Sequence, residues 1–379
     1  MQKQTLTTWV EISKANLLYN VQQFRDILLS DMQIMGVVKS NAYGHGIENT
    51  AKVLSEAVDY FAVVSVEEAL LLRSIGIEKP ILVLSIIGFD DDLISTAIKN
   101  NIELSIFDSV SFFKIAELAK KANKKAKVHL KIDTGMSRLG FSVEQSSEMI
   151  KKIVEHLDLK LQGVFSHLAC ADTDVGISSL QIDAFNKILK YIKDNDVSVP
   201  IQHLSLTAGV MTKSIAGNAV RIGLGLYGLY PSALCREMVK KDNKGFNLKP
   251  VLSWHTKIIQ VKEIDGQSGV GYSHTYITKE RIKIGVLPVG YWDGLGRKLS
   301  NNGEVLIQGK RCKIIGRVCM NHTMVDLSSL QDVKPGQKVT ILGKVGEQEI
   351  TANELTKQIG TINYGIVTRI NPLIPRVIV

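Results

Sequence analysis

A single lysine stands at the end of an apolar run in the first part of the chain. The run extends from Ile34 to Val38 and is followed by Lys39 and then by small and turn-forming residues. This pattern predicts a buried strand that ends at Lys39, and desolvation there would lower the pKa of its amine. A free amine is the form that Schiff-base chemistry needs. On spacing alone, an ordinary lysine at a strand end is the simpler interpretation.

Other charged or polar side chains also stand at the ends of apolar runs. Arg138 suits a carboxylate, because a guanidinium pairs with a carboxylate through two parallel hydrogen bonds. Arg221 is a permanent cation, because arginine does not lose its proton in proteins. Taken singly, each of these residues is consistent with a structural role. The set consists of Lys39, Lys131 with Asp133 and Arg138, His167, His203 with Thr207, and Arg221.

The elements that must position these side chains alternate between strands and helices. Eight short apolar runs precede residue 230, and helical patterns such as Ser109–Ala122 separate most of them. Eight such units predict an α/β fold with a closed (β/α)8 TIM barrel, and an open doubly wound sheet is the competing fold. The C-terminal ends of barrel strands form one rim, so we expect the side chains above to gather there. The predicted strands are Ile34–Val38, Tyr60–Ser65, Ile81–Ser85, Ile102–Phe107, Lys127–Asp133, Leu161–His167, Ile201–Thr207 and Val220–Leu226.

The pattern changes at about Asn243. Strand-like segments separated by Gly, Asp, Asn and Pro follow, among them Trp254–Val261 and a last strand from Arg369 onward, and only Ala352–Ile359 looks helical. We expect a barrel domain over residues 1–240 and a mainly β domain over residues 241–379. The lysine-rich stretch Arg236–Lys249 is the predicted linker.

Composition narrows the class of protein. The hydrophobic content of 45% and the charged content of 22% are those of an ordinary globular protein. The net charge of +9 comes from scattered lysines without a nucleic-acid-binding motif, so we expect no nucleic acid partner. The segment Met1–Thr8 lacks a signal-peptide pattern, and no apolar run approaches the roughly 20 residues of a membrane span. A cytoplasmic location with four reduced cysteines and no metal site is expected.

The segment from Lys39 to Gly46, Lys-Ser-Asn-Ala-Tyr-Gly-His-Gly, resembles the cofactor-binding motif of alanine racemases and departs from it only at Ser40. The resemblance extends in separate motifs from Trp9 to Arg369. It implies a barrel-type enzyme dependent on pyridoxal 5'-phosphate (PLP). It also implies that Lys39 holds PLP as an aldimine and that Tyr43 approaches the phosphate.

Racemisation removes the α-proton on one face of the carbon and returns a proton on the other, so two bases are needed. Lys39 is the base on one face. The segment Ser268–Tyr276 resembles the family's segment that delivers a tyrosine across a dimer interface, which implies that Tyr272 is the second base in a homodimer with shared active sites. A tyrosine is a weak base near neutral pH unless a cationic neighbour assists it, and His167 and Arg221 could do so.

The resemblance also implies roles at the cofactor ring and phosphate. Arg221 corresponds to the arginine that faces the pyridine nitrogen, where it weakens the ring as an electron sink, and His203 orients it. Leu206 stands where the family has asparagine, and Gly365 where it has glutamate. The implied phosphate-binding residues are Tyr43, Thr207, Gly223, Leu224 and Tyr364.

The remaining motifs concern the substrate. Arg138 is implied to bind the alanine carboxylate. Lys131 is implied to be carbamylated and to hold Arg138 in place, and the alternative is that Lys131 is a plain salt-bridging lysine. Met320 and Tyr291 are implied to close and narrow the pocket. Asn321 replaces the family's aspartate, which leaves activity on larger amino acids open.

The combined interpretation is an alanine racemase that interconverts L- and D-alanine for cell-wall peptidoglycan. The alternatives are a racemase for serine or for a broad range of amino acids, a PLP decarboxylase of the same architecture, and a non-enzymatic PLP-carrying barrel. Arg221 argues against the decarboxylase, which would place a carboxylate at the ring nitrogen. The C-terminal region argues against the non-enzyme.

Overall fold

The computed structural model describes residues 5–379, so the first four residues of the segment assessed for a signal peptide lie outside the described residues. The chain begins with strand β1 (Thr8–Ile12) and helix α1 (Lys14–Arg25). It divides into two compact units. The β unit consists of Met1–Asn16, Tyr43–Gly46 and Pro250–Val379, and the barrel unit consists of Leu17–Ala42 and Ile47–Lys249.

The barrel unit contains eight parallel strands in consecutive order. The sheet runs β8-β7-β6-β5-β4-β3-β2-β9, and a parallel bridge between Leu206 and Arg221 brings its two edges together. A consecutive order with nearly complete closure confirms the TIM barrel and excludes the doubly wound alternative. The strands are β2 (Gln33–Val37), β3 (Tyr60–Ser65), β4 (Ile81–Ile86), β5 (Glu103–Ile106), β6 (Ala126–Lys131), β7 (Leu159–Phe165), β8 (Ile201–His203) and β9 (Ala219–Ile222).

Helices follow the strands, and α4 to α8 and α10 begin at Ser or Asp residues that cap them. Asp108 accepts from the Ser111 amide and Ser142 from the Gln145 amide, each within a capping box. After the turn α2 (Lys39–Tyr43), the helices are α3 (Ile47–Leu54), α4 (Val66–Ser74), α5 (Asp91–Lys99), α6 (Ser109–Lys121), α7 (Val143–Glu155), α8 (Val175–Asp194), α9 (Thr207–Met211) and α10 (Ala233–Asp242).

Helix α10 corrects the predicted linker. The stretch Arg236–Lys249 is rich in lysine, but its first half is helical. Ser232 caps this helix by accepting from the Cys235 amide, and Cys235 and Val239 are buried. A buried apolar face therefore outweighs the lysines on the other side of the helix.

The β unit is built on one ten-stranded sheet. Its order is β11-β12-β15-β14-β13-β16-β10-β1-β18, with β17 paired to β16. The N-terminal strand β1 pairs with β10 and β18 and thus belongs to this sheet. The strands are β10 (Leu252–Lys257), β11 (Gln260–Ile264), β12 (Ile282–Leu287), β13 (Glu304–Ile307), β14 (Lys310–Ile315), β15 (Thr323–Asp326), β16 (Lys338–Val345), β17 (Gln348–Ile350) and β18 (Arg376–Ile378).

Two helices lie in this region, although only one was expected. Helix α11 (Ala352–Ile359) agrees with the prediction, and α12 (Asn363–Val367) was missed because its Asn-Tyr-Gly sequence is typical of a turn. The strand expected from Arg369 onward starts later, at Arg376, because a turn through Asn371 and Pro372 comes first. Within residues 5–379, no helix has the length and apolar character to cross a membrane.

Candidate active site

The residues after Lys39 form a left-handed turn. Ser40, Asn41, Ala42 and Tyr43 have φ angles between 52° and 55°, a region that residues other than glycine avoid. Such a run persists only where surrounding contacts fix it. The turn is therefore an element whose conformation is imposed by hydrogen bonds and packing.

Glu68 and Asn41 supply two of those contacts. One Glu68 oxygen accepts from the Ser40 amide at 2.6 Å, and the other accepts from the Val64 amide at 2.9 Å. The Asn41 side chain accepts from the Ile47 amide at 2.9 Å. Together they fix the backbone on both sides of the turn, and with it the position of Lys39.

The amine of Lys39 has a lowered pKa. Burial is the largest cause, and the positive charges of Arg138 and Arg221 lower the pKa further, while Glu68 partly offsets them. A lowered pKa increases the fraction of neutral amine, which is the nucleophilic and basic form.

Arg221 lies fully inside the barrel unit, 3% exposed, and donates to a ring of acceptors. Its Nη2 donates to the carbonyls of Ser166 at 2.7 Å and Leu204 at 2.8 Å, and lies 3.3 Å from His167 Nδ1. Its Nη1 donates to the carbonyl and to Nδ1 of His203. Burial and Arg138 lower the Arg221 pKa to about 9, so the group remains a cation at neutral pH.

The two histidines beside Arg221 are neutral. Burial and the charge of Arg221 lower the pKa of both His167 and His203 well below the ordinary value. The His203 ring stacks on Phe165, with ring centroids 4.8 Å apart and planes 4° apart. A neutral ring can accept the guanidinium hydrogen bond, and the stacking holds it in the orientation that does so.

Lys131 and Arg138 flank a loop that Asp133 organises. One Asp133 oxygen accepts from the amides of Gly135, Met136 and Ser137 at 2.8–3.1 Å. The Lys131 amine donates to the Ile132 carbonyl at 2.9 Å, and burial together with Arg221 lowers the Lys131 pKa to about 7.

Arg138 is exposed at the end of this loop. Its charge lowers the pKa of Lys39, Lys131, His167 and Arg221. The predicted carboxylate-binding arginine is therefore close enough to these four groups for its charge to change their pKa values.

A small polar cradle forms around Thr207. The Thr207 hydroxyl accepts from the amides of Gly223 at 3.1 Å and Gly225 at 3.3 Å. A Cβ atom at Gly225 would lie 2.4 Å from the Phe24 ring and 2.9 Å from Thr207, so only glycine fits. Leu206 occupies the N-cap position of α9 and its side chain makes no capping hydrogen bond. The asparagine that the resemblance expects at this position is a residue type that caps helices well. Because the Thr207 oxygen accepts from both amides, its own proton is directed away from them and can be donated to a phosphate.

The β unit carries Tyr272 on a short 3-10 turn, Tyr272–His274. The Tyr272 side chain is 70% exposed, and the turn is closed by a hydrogen bond from the Val270 amide to the Tyr276 carbonyl. Asn301 donates to the Thr275 carbonyl at 3.2 Å and accepts from the Gly316 amide at 2.6 Å. The turn is thus tied to the segment after β14. Tyr272 also lines a cavity of about 540 Å³ with Cys319, His322 and Met324.

Tyr291 and Met320 are neighbours within the same unit. The Tyr291 amide donates to the Cys319 carbonyl at 3.0 Å, and the Trp292 amide to the Met320 carbonyl at 3.1 Å. A Cβ at Gly290 would lie 2.2 Å from the Cys319 carbonyl oxygen, so glycine permits this approach. Tyr291 and Met320 are 44% and 54% exposed.

Tyr43 and Tyr364 also belong to the β unit. Burial and the neighbouring Tyr364 raise the Tyr43 pKa to about 12, so its hydroxyl is a hydrogen-bond donor at neutral pH. A Cβ at Gly365, where the resemblance expects glutamate, would lie 2.8 Å from the Thr361 hydroxyl. Asn321 is exposed.

The structure thus brings together the barrel residues that the sequence singled out. It also adds partners that sequence reasoning missed. Three of these partners could have been found from the sequence, because each is a charged or polar residue inside a strand or next to one. Glu103 lies in β5 and His129 in β6, and Glu68 follows β3. The additional partners are Tyr60, Glu68, Glu103, His129 and Phe165.

The barrel rim fits PLP in three respects. Lys39 offers an amine with a lowered pKa for the aldehyde of PLP. The Thr207 hydroxyl, held by two backbone amides, offers a hydrogen-bond donor for the phosphate. Arg221 offers a cation that has no hydrogen-bond acceptor. The rim also offers a second guanidinium, that of Arg138, for a carboxylate.

Comparisons with known proteins agree on one family. The alanine racemase N-terminal domain family matches residues 12–231, and the C-terminal domain family matches residues 251–378. The chain is 38% identical to an alanine racemase of Methanococcus maripaludis, covering 97% of this chain and 98% of that protein. It is 36% identical to alanine racemase 2 of Caldanaerobacter subterraneus subsp. tengcongensis, covering 98% and 94%. The solved alanine racemase of Clostridium difficile superposes with a TM-score of 0.92 at 35% identity, covering 99% and 96%.

Proposed function

The chain belongs to the alanine racemase family and interconverts L- and D-alanine, and from that premise we propose that Lys39 and Tyr272 are its two bases. The observation that carries the proposal is the Lys39 amine, whose pKa is lowered by burial and by two arginines. A lowered pKa raises the fraction of the amine that is neutral, and the neutral amine is the form that accepts a proton.

The cofactor of this reaction is PLP, which withdraws electrons from the α-carbon when bound. Lys39 holds it. The Thr207 hydroxyl, whose own proton can be donated, and the Leu224 amide would bind the phosphate in the barrel unit, and the Gly223 amide would join them by exchanging the Thr207 oxygen for a phosphate oxygen. The resemblance implies the same role for the hydroxyls of Tyr43 and Tyr364. Arg221 would place its positive charge beside the ring nitrogen and keep a proton off it, because a guanidinium has no acceptor and does not give up its own proton. This arrangement limits side reactions such as transamination.

Arg138 binds the substrate carboxylate. Arg138 is exposed at the rim, and its charge lowers the pKa of Lys39 and of Lys131. A carboxylate paired with Arg138 would therefore lie near both amines. Lys131 in its carbamylated form orients Arg138 by presenting a carboxylate. Met320 and Tyr291 restrict the side-chain pocket to a methyl group.

Tyr272 acts in the active site of a second copy. Its side chain is 70% exposed on a turn fixed by Asn301, as expected for a group that is buried only when two chains meet. His167 and Arg221 of the receiving barrel assist the phenol electrostatically. The active enzyme is accordingly a homodimer, in which the mainly β domain of residues 241–379 completes the partner's site.

D-alanine produced by the enzyme supplies peptidoglycan synthesis, and the reaction takes place in the cytoplasm. The thiol state supports this location, because Cys170, Cys235, Cys312 and Cys319 are all unpaired.

Two variants test the assignment of the bases. Lys39→Ala should lose the visible absorption of protein-bound PLP and all racemisation. Tyr272→Phe should keep that absorption but slow α-proton exchange into heavy water about 10²-fold or more from one alanine enantiomer, with the other much less affected. Equal exchange from both enantiomers in Tyr272→Phe would show that the phenol is not a base.

A further inference from the structure

Buried polar side chains form a continuous chain through the barrel unit, below Arg221. Arg221 Nη1 contacts His203 Nδ1, His203 Nε2 lies 3.1 Å from His129 Nδ1, and His129 Nε2 lies 2.8 Å from Glu103 Oε2. None of these four side chains belongs to a residue more than 3% exposed. Barrel interiors are ordinarily filled with apolar side chains, so this row of polar groups requires an explanation.

The direction of every hydrogen bond in the chain follows from Arg221. A guanidinium only donates, so His203 Nδ1 must accept and its proton must be on Nε2. That proton is donated to His129 Nδ1, which places the His129 proton on Nε2 as well. His129 then donates to Glu103, and the relay runs from a cation to a carboxylate.

Tyr60 is a second hydrogen-bond donor to Glu103. Its hydroxyl donates to both Glu103 oxygens, at 2.9 and 2.8 Å. Burial and the charge of Glu103 raise the Tyr60 pKa, so the hydroxyl keeps its proton and remains a donor. With two donors directed at it, Glu103 is an acceptor-only carboxylate.

Arg221 needs this carboxylate because its direct partners carry no negative charge. It contacts backbone carbonyls and two neutral histidine rings. A buried cation is stable only when its charge is compensated. Within residues 5–379, the hydrogen bonds that lead away from Arg221 through His203 end at Glu103.

A competing partner for Glu103 is Arg73, whose pKa is lowered by burial, an effect that the charges of Glu103 and Glu78 partly offset. The hydrogen bonds of Arg73 run to the carbonyls of Asn100, Ile77 and Lys79. Glu103 itself is engaged by His129 and Tyr60. The hydrogen-bond geometry thus assigns Glu103 to the relay.

We propose that Glu103 is a positioning residue for racemisation, which acts through His129 and His203 to hold the Arg221 guanidinium toward the cofactor ring. The inference rests on the proposed role of Arg221. The proposal predicts that removing the charge of Glu103, which lies outside the substrate pocket, slows the chemical step and leaves substrate binding nearly unchanged.

Histidine nitrogen-15 NMR on the full-length chain tests the relay without any variant. His129 and His203 are expected to carry one proton each, on Nε2, because Nδ1 of each ring accepts a hydrogen bond. A proton on Nδ1 of either ring, or a doubly protonated ring, would overturn the relay. This result does not depend on racemisation, so it is separable from the proposed function.

Glu103→Gln tests the consequence for catalysis, because it keeps the shape and removes the charge. The expected result is a fall of about ten-fold in kcat with KM within about two-fold, and an upfield shift of the His129 Nε2 proton. Glu117→Gln, which removes an exposed carboxylate paired with Lys121, is the matched control and should match the wild type. If Glu103→Gln only lowers Tm and keeps the control's kcat, Glu103 is structural and the proposal fails.

Discussion

Two barrel amines, those of Lys39 and Lys131, owe their lowered pKa values to the same cause. Each is desolvated and lies near Arg138 and Arg221. The sequence predicted desolvation of Lys39 from the apolar run before it. It did not predict the contribution of the arginines, because their proximity depends on the meeting of strands that are far apart in the chain.

Lys131 should react with carbon dioxide. A carbamate forms from the neutral amine, and a pKa of about 7 leaves most of the amine neutral at pH 8 but protonated below pH 7. With 13C-labelled bicarbonate, we expect a carbamate resonance at pH 8 that weakens as the pH falls through 7 and is missing in Lys131→Gln. A wild-type spectrum at pH 8 without this resonance would contradict carbamylation and favour the plain amine bonded to the Ile132 carbonyl.

At the scale of elements, the barrel strands were predictable because β2, β3 and β4 are short, mainly apolar runs and most of the other strands carry apolar residues at alternate or neighbouring positions between helical segments. The strands β10 and β11 were merged into one prediction, since apolar Ile258 and Ile259 separate them. Strand β15, Thr323–Asp326, was missed because four residues with two polar ends carry little signal. Sequence patterns also gave no indication of the left-handed turn after Lys39, because none of its residues is a glycine.

The loop that follows the left-handed turn depends on a close backbone approach at Gly44. Its φ is +84°, and a Cβ there would lie 2.1 Å from the Val367 carbonyl oxygen. Gly346 is a matched control, with φ +60° and no atom within 4 Å of a Cβ. Gly44→Ala should lower the free energy of unfolding by more than about 3 kcal/mol, and Gly346→Ala by only about 1 kcal/mol.

Urea unfolding of both variants measures that difference, and PLP absorption reports whether Tyr43 and Lys39 keep their places. Equal losses for the two alanine variants would mean that the Val367 contact does not constrain the loop.

For the whole molecule, the β unit exposes several large apolar side chains. Tyr272, Ile277, Trp292 and Met320 are each more than half exposed. Isolated exposed apolar residues are common, but several around one proposed catalytic group are typical of an interface. The sequence located Tyr272 through the family resemblance, whereas exposure of its neighbours could be known only from the structure.

Ile277→Asp should therefore weaken the dimer. Ile277 is 56% exposed and pairs with Gly269 at the base of the Tyr272 turn, so a charge there would be buried in the proposed homodimer. Sedimentation should show a dimer dissociation constant raised about ten-fold or more. Leu157→Asp is the control, because Leu157 precedes β7 at the barrel end opposite the rim. Unchanged dimerisation of Ile277→Asp would place the interface elsewhere.

The sharing of active sites between two chains can be measured by mixing Lys39→Ala and Tyr272→Phe proteins after dissociation. Each variant alone should be nearly inactive, but a mixed dimer contains one site with both native bases. Random pairing makes about half of the dimers mixed, so the mixture should regain about one quarter of wild-type racemisation. A mixture that exchanges subunits and stays as inactive as its components would contradict a second base supplied by the partner.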